Sequence, residues 1–227
     1  DIELAYQAAE QAYHLASGEF NEMNLQLTKQ QSKIEALQQE VIFKDNQLND
    51  LHAQIQSMGF ASLHASMPVN FPKNSPEALE SLKDALAGKP IAYSVAPNAY
   101  NRQGVAEGEL IGGNLSVLYS ISGSLSDMDT AGKILFLEDL DEYLYHIDRM
   151  MMQLERSGKL TNLAGLVIGG MSDMRDNAIP FGKDALQIMQ ERVAKYNYPV
   201  CYGFPAGHID DNRALVLGTT HRLEVAG

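Results

Sequence analysis

Apolar residues change their spacing once along this chain. From Ile2 to Ser57 there is no proline, and Gly18 is the only glycine. Apolar positions there recur at alternating steps of three and four: Tyr6, Ala9, Tyr13, Ala16, Phe20, Met23, Leu27, then Ile34, Leu37, Val41, then Leu48, Leu51, Ile55. Two positions of the register are polar, Gln30 and Lys44, and Ala9 and Ala16 are small. A 3–4 spacing held for about seven heptads is the pattern of a coiled-coil seam. It predicts a helix over residues 1–57, roughly 80 Å long at 1.5 Å per residue. One helix cannot bury such a stripe against itself, so the pattern predicts a homo-oligomer formed through the coiled coil. Gln30 and Lys44 would help set its register or strand number. Recognition of a different, specific partner fits the same seam.

After Met58-Gly59 the apolar residues fall into short blocks. Residues 60–66 read as a short strand, and 68–76, with three prolines, as a loop. Ser75 followed by Pro76 predicts an N-cap and a helix to about Ala87, stopped by Gly88-Lys-Pro. Residues 91–104 are irregular and polar and read as a linker. Strands are predicted at 105–110, 133–137, 163–169, 199–202, 214–217 and 223–225. Gly112-Gly113-Asn114 reads as a tight turn into a short helix from Leu115. Asp139, with Glu142 three residues on, resembles a capping box and predicts a helix start there. That helix carries the stripe Tyr143, Ile147, Met150, Met151, Leu154, and the next carries Leu186, Met189, Val193, Tyr196. Alternating strands and helices predict an α/β fold, a sheet covered by helices.

Composition narrows the function classes. The net charge of −12 over 227 residues opposes binding to phosphate backbones, so nucleic acid is not an expected partner. Residues 1–50 hold nine acidic residues against three basic ones, which is a solvated face and not a membrane-binding one. No apolar run approaches the ~20 residues of a membrane span, and no signal-peptide pattern is seen in a sequence that starts at Asp1. The single cysteine, Cys201, fits a buried small side chain and a reducing compartment.

Two polar residues fall where α/β enzymes place function, at the carboxyl ends of strands. Glu138 follows the block Ile134-Leu-Phe-Leu, and His208 ends Pro199-Val-Cys-Tyr-Gly-Phe-Pro-Ala-Gly-His. A histidine paired with a carboxylate is the general-base half of a hydrolytic triad. Plainer readings also fit: Glu138 as an acid beside a helix N-terminus, and His208 as a loop histidine bonded to backbone. The other histidines, His14, His52, His64, His146 and His221, show no HxxxH or HxxE spacing on a helix, so no metal site is expected. Gly112-Gly113 lacks the context of a dinucleotide or phosphate loop.

Several runs together resemble the L,D-carboxypeptidase family of serine peptidases. They are Gly108-Glu-Leu-Ile-Gly-Gly-Asn-Leu-Ser, Gly132-Lys-Ile-Leu-Phe-Leu-Glu-Asp, Tyr145-His-Ile-Asp-Arg-Met, Gly203-Phe-Pro-Ala-Gly-His and Leu215-Val-Leu-Gly. Leu51-His-Ala-Gln-Ile and Leu63-His-Ala-Ser-Met-Pro are similar to the same family, so the likeness runs from about Leu51 to Gly227. It implies a fold of two α/β lobes, of which this chain holds the rear lobe (residues 105–227) and the end of the front one (58–90), joined by 91–104. It also implies cytoplasmic enzymes that use no metal or cofactor. Their substrate is a muropeptide-type peptide, and they release the terminal D-alanine of the tetrapeptide during cell-wall recycling. Microcin-immunity-type siblings hydrolyse antibiotic peptide–nucleotide conjugates. By this resemblance Glu138 is the triad acid and His208 the base.

The chain departs from the family at the nucleophile. The family's serine lies in a Gly-Tyr/Phe-Ser-Asp motif shortly before the pair matched here by Leu51-His52. Counting back puts it at Asn46, or at Lys44 if Ile42-Phe-Lys-Asp is aligned with the motif. Neither carries a hydroxyl, Ser32 and Ser57 are wrongly spaced, and the heptad helix stands where the family has its first βα region. The expectation is a family member inactive as this chain. The alternatives are a non-catalytic coiled-coil module or fusion carrying a remnant lobe, and complementation by a separate serine-bearing chain. Strand 60–66 and helix 76–87 are expected to lack sheet neighbours and to expose apolar surface unless something covers them.

Overall fold

A computed structural model describes residues 2–226, with side chains except at helix positions 4, 5, 8, 9, 12, 45, 46, 49, 50, 52, 53, 56 and 57. The seam residue Ala9, Asn46 (one of the two positions expected for the family's serine), His52 and Ser57 therefore lie outside the described side chains. The chain divides into two compact units, Asp1–Leu48 and Asn49–Gly227. Helix α1 (Ile2–Ser57) makes up the first and runs into the second. With no proline and one glycine, nothing in this stretch interrupts the i→i−4 ladder. Its large seam residues from Tyr6 to Leu51 stay exposed, between 50% at Leu48 and 70% at Tyr13, while Ile55 is half-buried. Among the described residues no helix is long and apolar enough to cross a membrane.

The second unit is a mixed α/β fold. After β1 (Ser62–His64) and α2 (Pro76–Leu86) come β2 (Gly104–Asn114), α3 (Leu115–Ile121), β3 (Ile134–Leu140) and α4 (Leu144–Arg156). Then follow β4 (Gly165–Ser172), α5 (Ala185–Val193), β5 (Val200–Tyr202), β6 (Leu215–Leu217) and β7 (Thr220–Val225). The main sheet has the order β5-β4-β3-β2-β7. Its first four strands are parallel, and β7 closes the edge antiparallel to β2. Central β3 is buried from Ile134 through Asp139, as a parallel strand covered on both faces must be.

One sheet face packs against the helices. Leu115 and Leu118 of α3, Ile147, Met150, Met151 and Leu154 of α4, and Ile188, Met189 and Val193 of α5 meet Leu135, Leu137, Leu166 and Ile168. On the other face Leu110, Ile134, Phe136 and Val167 pack with Ala206, Leu215, Leu217, Tyr93 and Phe204. The Ser75 hydroxyl accepts the Ala78 N–H and caps α2, and Asp184 with Gln187 forms a full capping box on α5.

Three local expectations are corrected. Gly112-Gly113-Asn114 is the end of β2 and not a turn, and Asn114 caps α3 directly. Gly112 is at φ +122 with Phe136 O only 2.0 Å from where a Cβ would stand, so glycine lets β2 run this close to β3. Asp139 does not start a helix: β3 continues through Leu140, and α4 begins at Leu144 after an uncapped Tyr143. The Asp139 carboxylate instead accepts the Ser116 N–H of α3 at 2.9 Å. The strand and helix of residues 62–86 do find neighbours. β1 pairs antiparallel with β6, Ser62 opposite Leu217 and His64 opposite Leu215, and α2 buries Ala78 and Ser81.

Candidate active site

Glu138 and His208 come from elements far apart in sequence and meet above the sheet. Glu138 sits within β3, with no solvent exposure. Its neighbour on β2 is Asn114. Toward β4 the register slips, from Leu137 opposite Ile168 to Asp139 opposite Met171, so Glu138 faces two residues, Gly169 and Gly170. A bulge of this kind re-aims a side chain and bends the strand. Both glycines make room for the histidine loop. A Cβ at Gly169 would stand 2.4 Å from Ala206 O, and one at Gly170 would stand 2.7 Å from Ile209 Cγ2. The Gly170 N–H donates to Ala206 O at 2.9 Å and fixes that loop to β4.

The loop then crosses Glu138 at Gly207, where φ is +106 and a Cβ would lie 2.7 Å from Glu138 Oε2. One residue later the His208 N–H points back to Oε2 at 3.2 Å, and its ring Nδ1 meets the same oxygen at 2.7 Å. A carboxylate can only accept, so Nδ1 carries the proton and the basic lone pair belongs to Nε2. Oε1 is buried and has no hydrogen-bond partner among the described residues, so the carboxylate is held by one edge. A charge kept this far from water acts strongly on a ring 2.7 Å away.

Next to it, Asp139 is also buried, on the opposite face of the strand. Oδ1 accepts the Asn114 Nδ2–H at 3.0 Å and the Leu140 N–H at 2.9 Å, while Oδ2 takes the Ser116 N–H. Burial pushes its carboxyl up to about 7; the Leu140 and Asn114 bonds oppose this, and the charges of Glu138 and Glu142 add to it.

Residues 107–223, just over half of the chain, match the family described as LD-carboxypeptidase C-terminal domain. The chain belongs to the LD-carboxypeptidase family. It is 32% identical over 186 residues to the Probable murein peptide carboxypeptidase of Bacillus subtilis, covering 78% of this chain and 57% of that protein. To the Murein tetrapeptide carboxypeptidase of Pseudomonas aeruginosa it is 33% identical over 161 residues, covering 69% and 52%. The crystal structure of muramoyltetrapeptide carboxypeptidase from Oxalobacter formigenes superposes with a TM-score of 0.71 at 26% identity, over 78% of this chain and 62% of that one. The chain thus spans about half the length of the curated relatives it matches.

Within this LD-carboxypeptidase fold the other sequence candidates find plain roles. His146 bonds Glu142 at 2.6 Å, and His221 lies between Val216 O and Thr219 Oγ1 at 2.8 and 2.9 Å. His64 packs edge-on against Phe136. Cys201 is buried, and burial pushes its thiol up. Lys44 is exposed on α1, where its ammonium donates to Gln47 Oε1 at 3.3 Å. A cavity of about 600 Å³ lies beneath residues 91–97, lined by Tyr93, Leu110, Phe204 and Leu223 among others. Neither Glu138 nor His208 lines it, so the pair and not this cavity defines the site. Gly169, Gly170 and Gly207 are not assigned to the site from sequence, and Asn114 and Asp139 are read there only as a turn residue and a helix start. A Gly-Gly doublet inside an apolar strand was the available signal for the bulge.

Proposed function

We infer that this chain carries the acid–base half of an L,D-carboxypeptidase, with Glu138 as the triad acid and His208 as the base. The observation that supports this best is the 2.7 Å bond from His208 Nδ1 to a fully buried Glu138. In that arrangement Glu138 fixes the tautomer and stabilises the imidazolium formed when Nε2 takes a proton from a nucleophile. The substrate would be a muropeptide tetrapeptide and the product its terminal D-alanine, in line with the names of the relatives. The reaction would belong to cell-wall recycling in the cytoplasm and need no metal or cofactor. Residues 105–227 are the rear lobe of a two-lobed parent, 58–90 the end of its front lobe and 91–104 the linker. Lys44 and Asn46, where the family's serine falls, have no hydroxyl for His208 to activate, so the chain alone is inactive. Purified protein is incubated with tetrapeptide muropeptide beside its E138Q and H208A variants. Equal, background-level D-alanine in all three is expected. Release by the parent alone would overturn the inactivity, and restored release on adding a serine-bearing front-lobe chain would demonstrate the acid–base half.

The exposed apolar seam of α1 favours a second role: residues 1–57 form a coiled coil between copies, and the protein is a binding or assembly module built on a peptidase remnant. Light scattering at micromolar concentration should give a multiple of the 25.0 kDa chain mass; a monomer would remove this reading.

A further inference from the structure

The loop that holds His208 is tied to residues 62–93 as well as to the sheet. Past the histidine, Asp210, Asp211, Asn212 and Ala214 each meet a partner from the early segment. Asp210 O accepts the Ser75 N–H at 2.9 Å and Asn74 Nδ2–H at 3.1 Å. Asp211 Oδ1 accepts the Ser75 hydroxyl at 2.7 Å. Asn212 O accepts the Ser66 hydroxyl at 3.2 Å, while Asn212 Oδ1 takes the N–H of Gly207, the residue just before His208, at 2.8 Å. The Ala214 N–H reaches Ser81 Oγ at 2.9 Å, and Ala214 O takes the Tyr93 hydroxyl at 2.7 Å. Gly203-Phe-Pro-Ala-Gly leads into the histidine, and such a loop does not fix a ring by its own preferences.

We propose that Asp211 and Asn212 are positioning residues for His208, anchored on Ser75 and Ser66, so that residues 66–75 hold the loop that carries the imidazole. This rests on the reading of Glu138 and His208 as an acid–base pair. Asn212 acts through the Gly207 N–H and fixes the one backbone turn that brings the ring onto Glu138. Asp211 locks the following residue to the head of α2. Burial pushes its carboxyl up, but the hydrogen bonds from Arg213 and Ser75 outweigh this and hold it below the usual carboxylate range, so it stays an ionised acceptor. Ser75 has two separable tasks: its oxygen caps α2 by accepting the Ala78 N–H, and its proton goes to Asp211. Glycine is well tolerated at an N-cap, so Ser75→Gly removes the second task with little effect on the first.

The test uses the full chain with 15N-labelled histidines, following the His208 ring by NMR from pH 4 to 9 and hydrogen exchange at the Gly207 amide. E138Q should lower the His208 midpoint by about one pH unit, since it removes the charge that favours the imidazolium. Asn212→Ala and Ser75→Gly should each lower it by a smaller step and speed exchange at Gly207 about tenfold, as the loop opens more readily. Ser75→Thr, which keeps the hydroxyl, should restore parent behaviour. Parent-like midpoint and exchange in Ser75→Gly and Asn212→Ala, with E138Q shifted, would overturn the positioning role and leave the pair intact. An E138Q variant with an unmoved His208 would overturn the pair itself. Should Asn212→Ala fail to fold, Ser75→Gly decides alone.

Discussion

Residues 2–48 and the α/β unit have similar raw material and use it differently. In α1 the backbone bonds are local, and the seam residues Phe20, Met23, Leu27 and Ile34 are each more than half exposed. In the α/β unit Phe136, Leu137, Ile147, Met150 and Met151 are completely buried. The difference lies in periodicity. A 3–4 repeat draws one stripe along a single helix and leaves it open until another helix arrives. A strand covered on both faces, such as β3, takes its partners from its own chain. The pattern therefore marks which unit buries its apolar residues within itself and which leaves them exposed.

The contrast can be broken most forcefully at Gly112. Gly112→Ala sets a methyl 2.0 Å from Phe136 O at a φ of +122 and should cost the α/β unit about 5 kcal/mol or abolish its urea transition, with α1 helicity retained. Loss of both together would show that the two units fold as one. Next in size is a pH effect. Asp139 is pushed from 3.8 up to about 7, so the folded state holds a proton the unfolded chain has released across that interval. Its contribution is complete below about pH 4 and is lost as pH rises through 7, a change of up to about 4 kcal/mol. Asp139→Asn has no such group, and its stability relative to the parent should rise over that window; parallel curves would refute the assignment. The smallest effect is at the seam. Ile34→Asn should weaken the proposed helix association by about 2 kcal/mol, read as a concentration-dependent circular dichroism transition, and leave the α/β transition unmoved.

Much of this architecture can be read from local pattern. The heptad spacing predicts α1, Ser75-Pro76 opens α2, and the stripe from Ile147 to Leu154 is the buried face of α4. Glu138 and His208 stand out by their places after apolar blocks, and the fold brings them together across 70 residues. Long-range satisfaction of groups is what stays hidden. Asp139 and Glu142 have the spacing of a capping box, yet the carboxylate serves the N-terminus of α3, 23 residues earlier. No spacing rule announces that Gly169 and Gly170 will share one partner on β3, or that Asn212 will hold the amide beside the histidine. The pairing of β1 with β6 joins residues about 150 apart, and nothing in either three-residue strand names the other.

That small two-stranded sheet also bears on how the protein can be dissected. A fragment starting at residue 104 would contain every strand of the main sheet and both members of the Glu138–His208 pair, yet it would leave Leu215–Leu217 with a bare edge. The Ala214 N–H and the carbonyls of Asp210, Asn212 and Ala214 would lose their partners as well. Such a fragment offers a free strand to any neighbour and is a candidate for sticking to itself. A cut placed ahead of Phe60 keeps the edge covered, and for recombinant work it is the better place to begin.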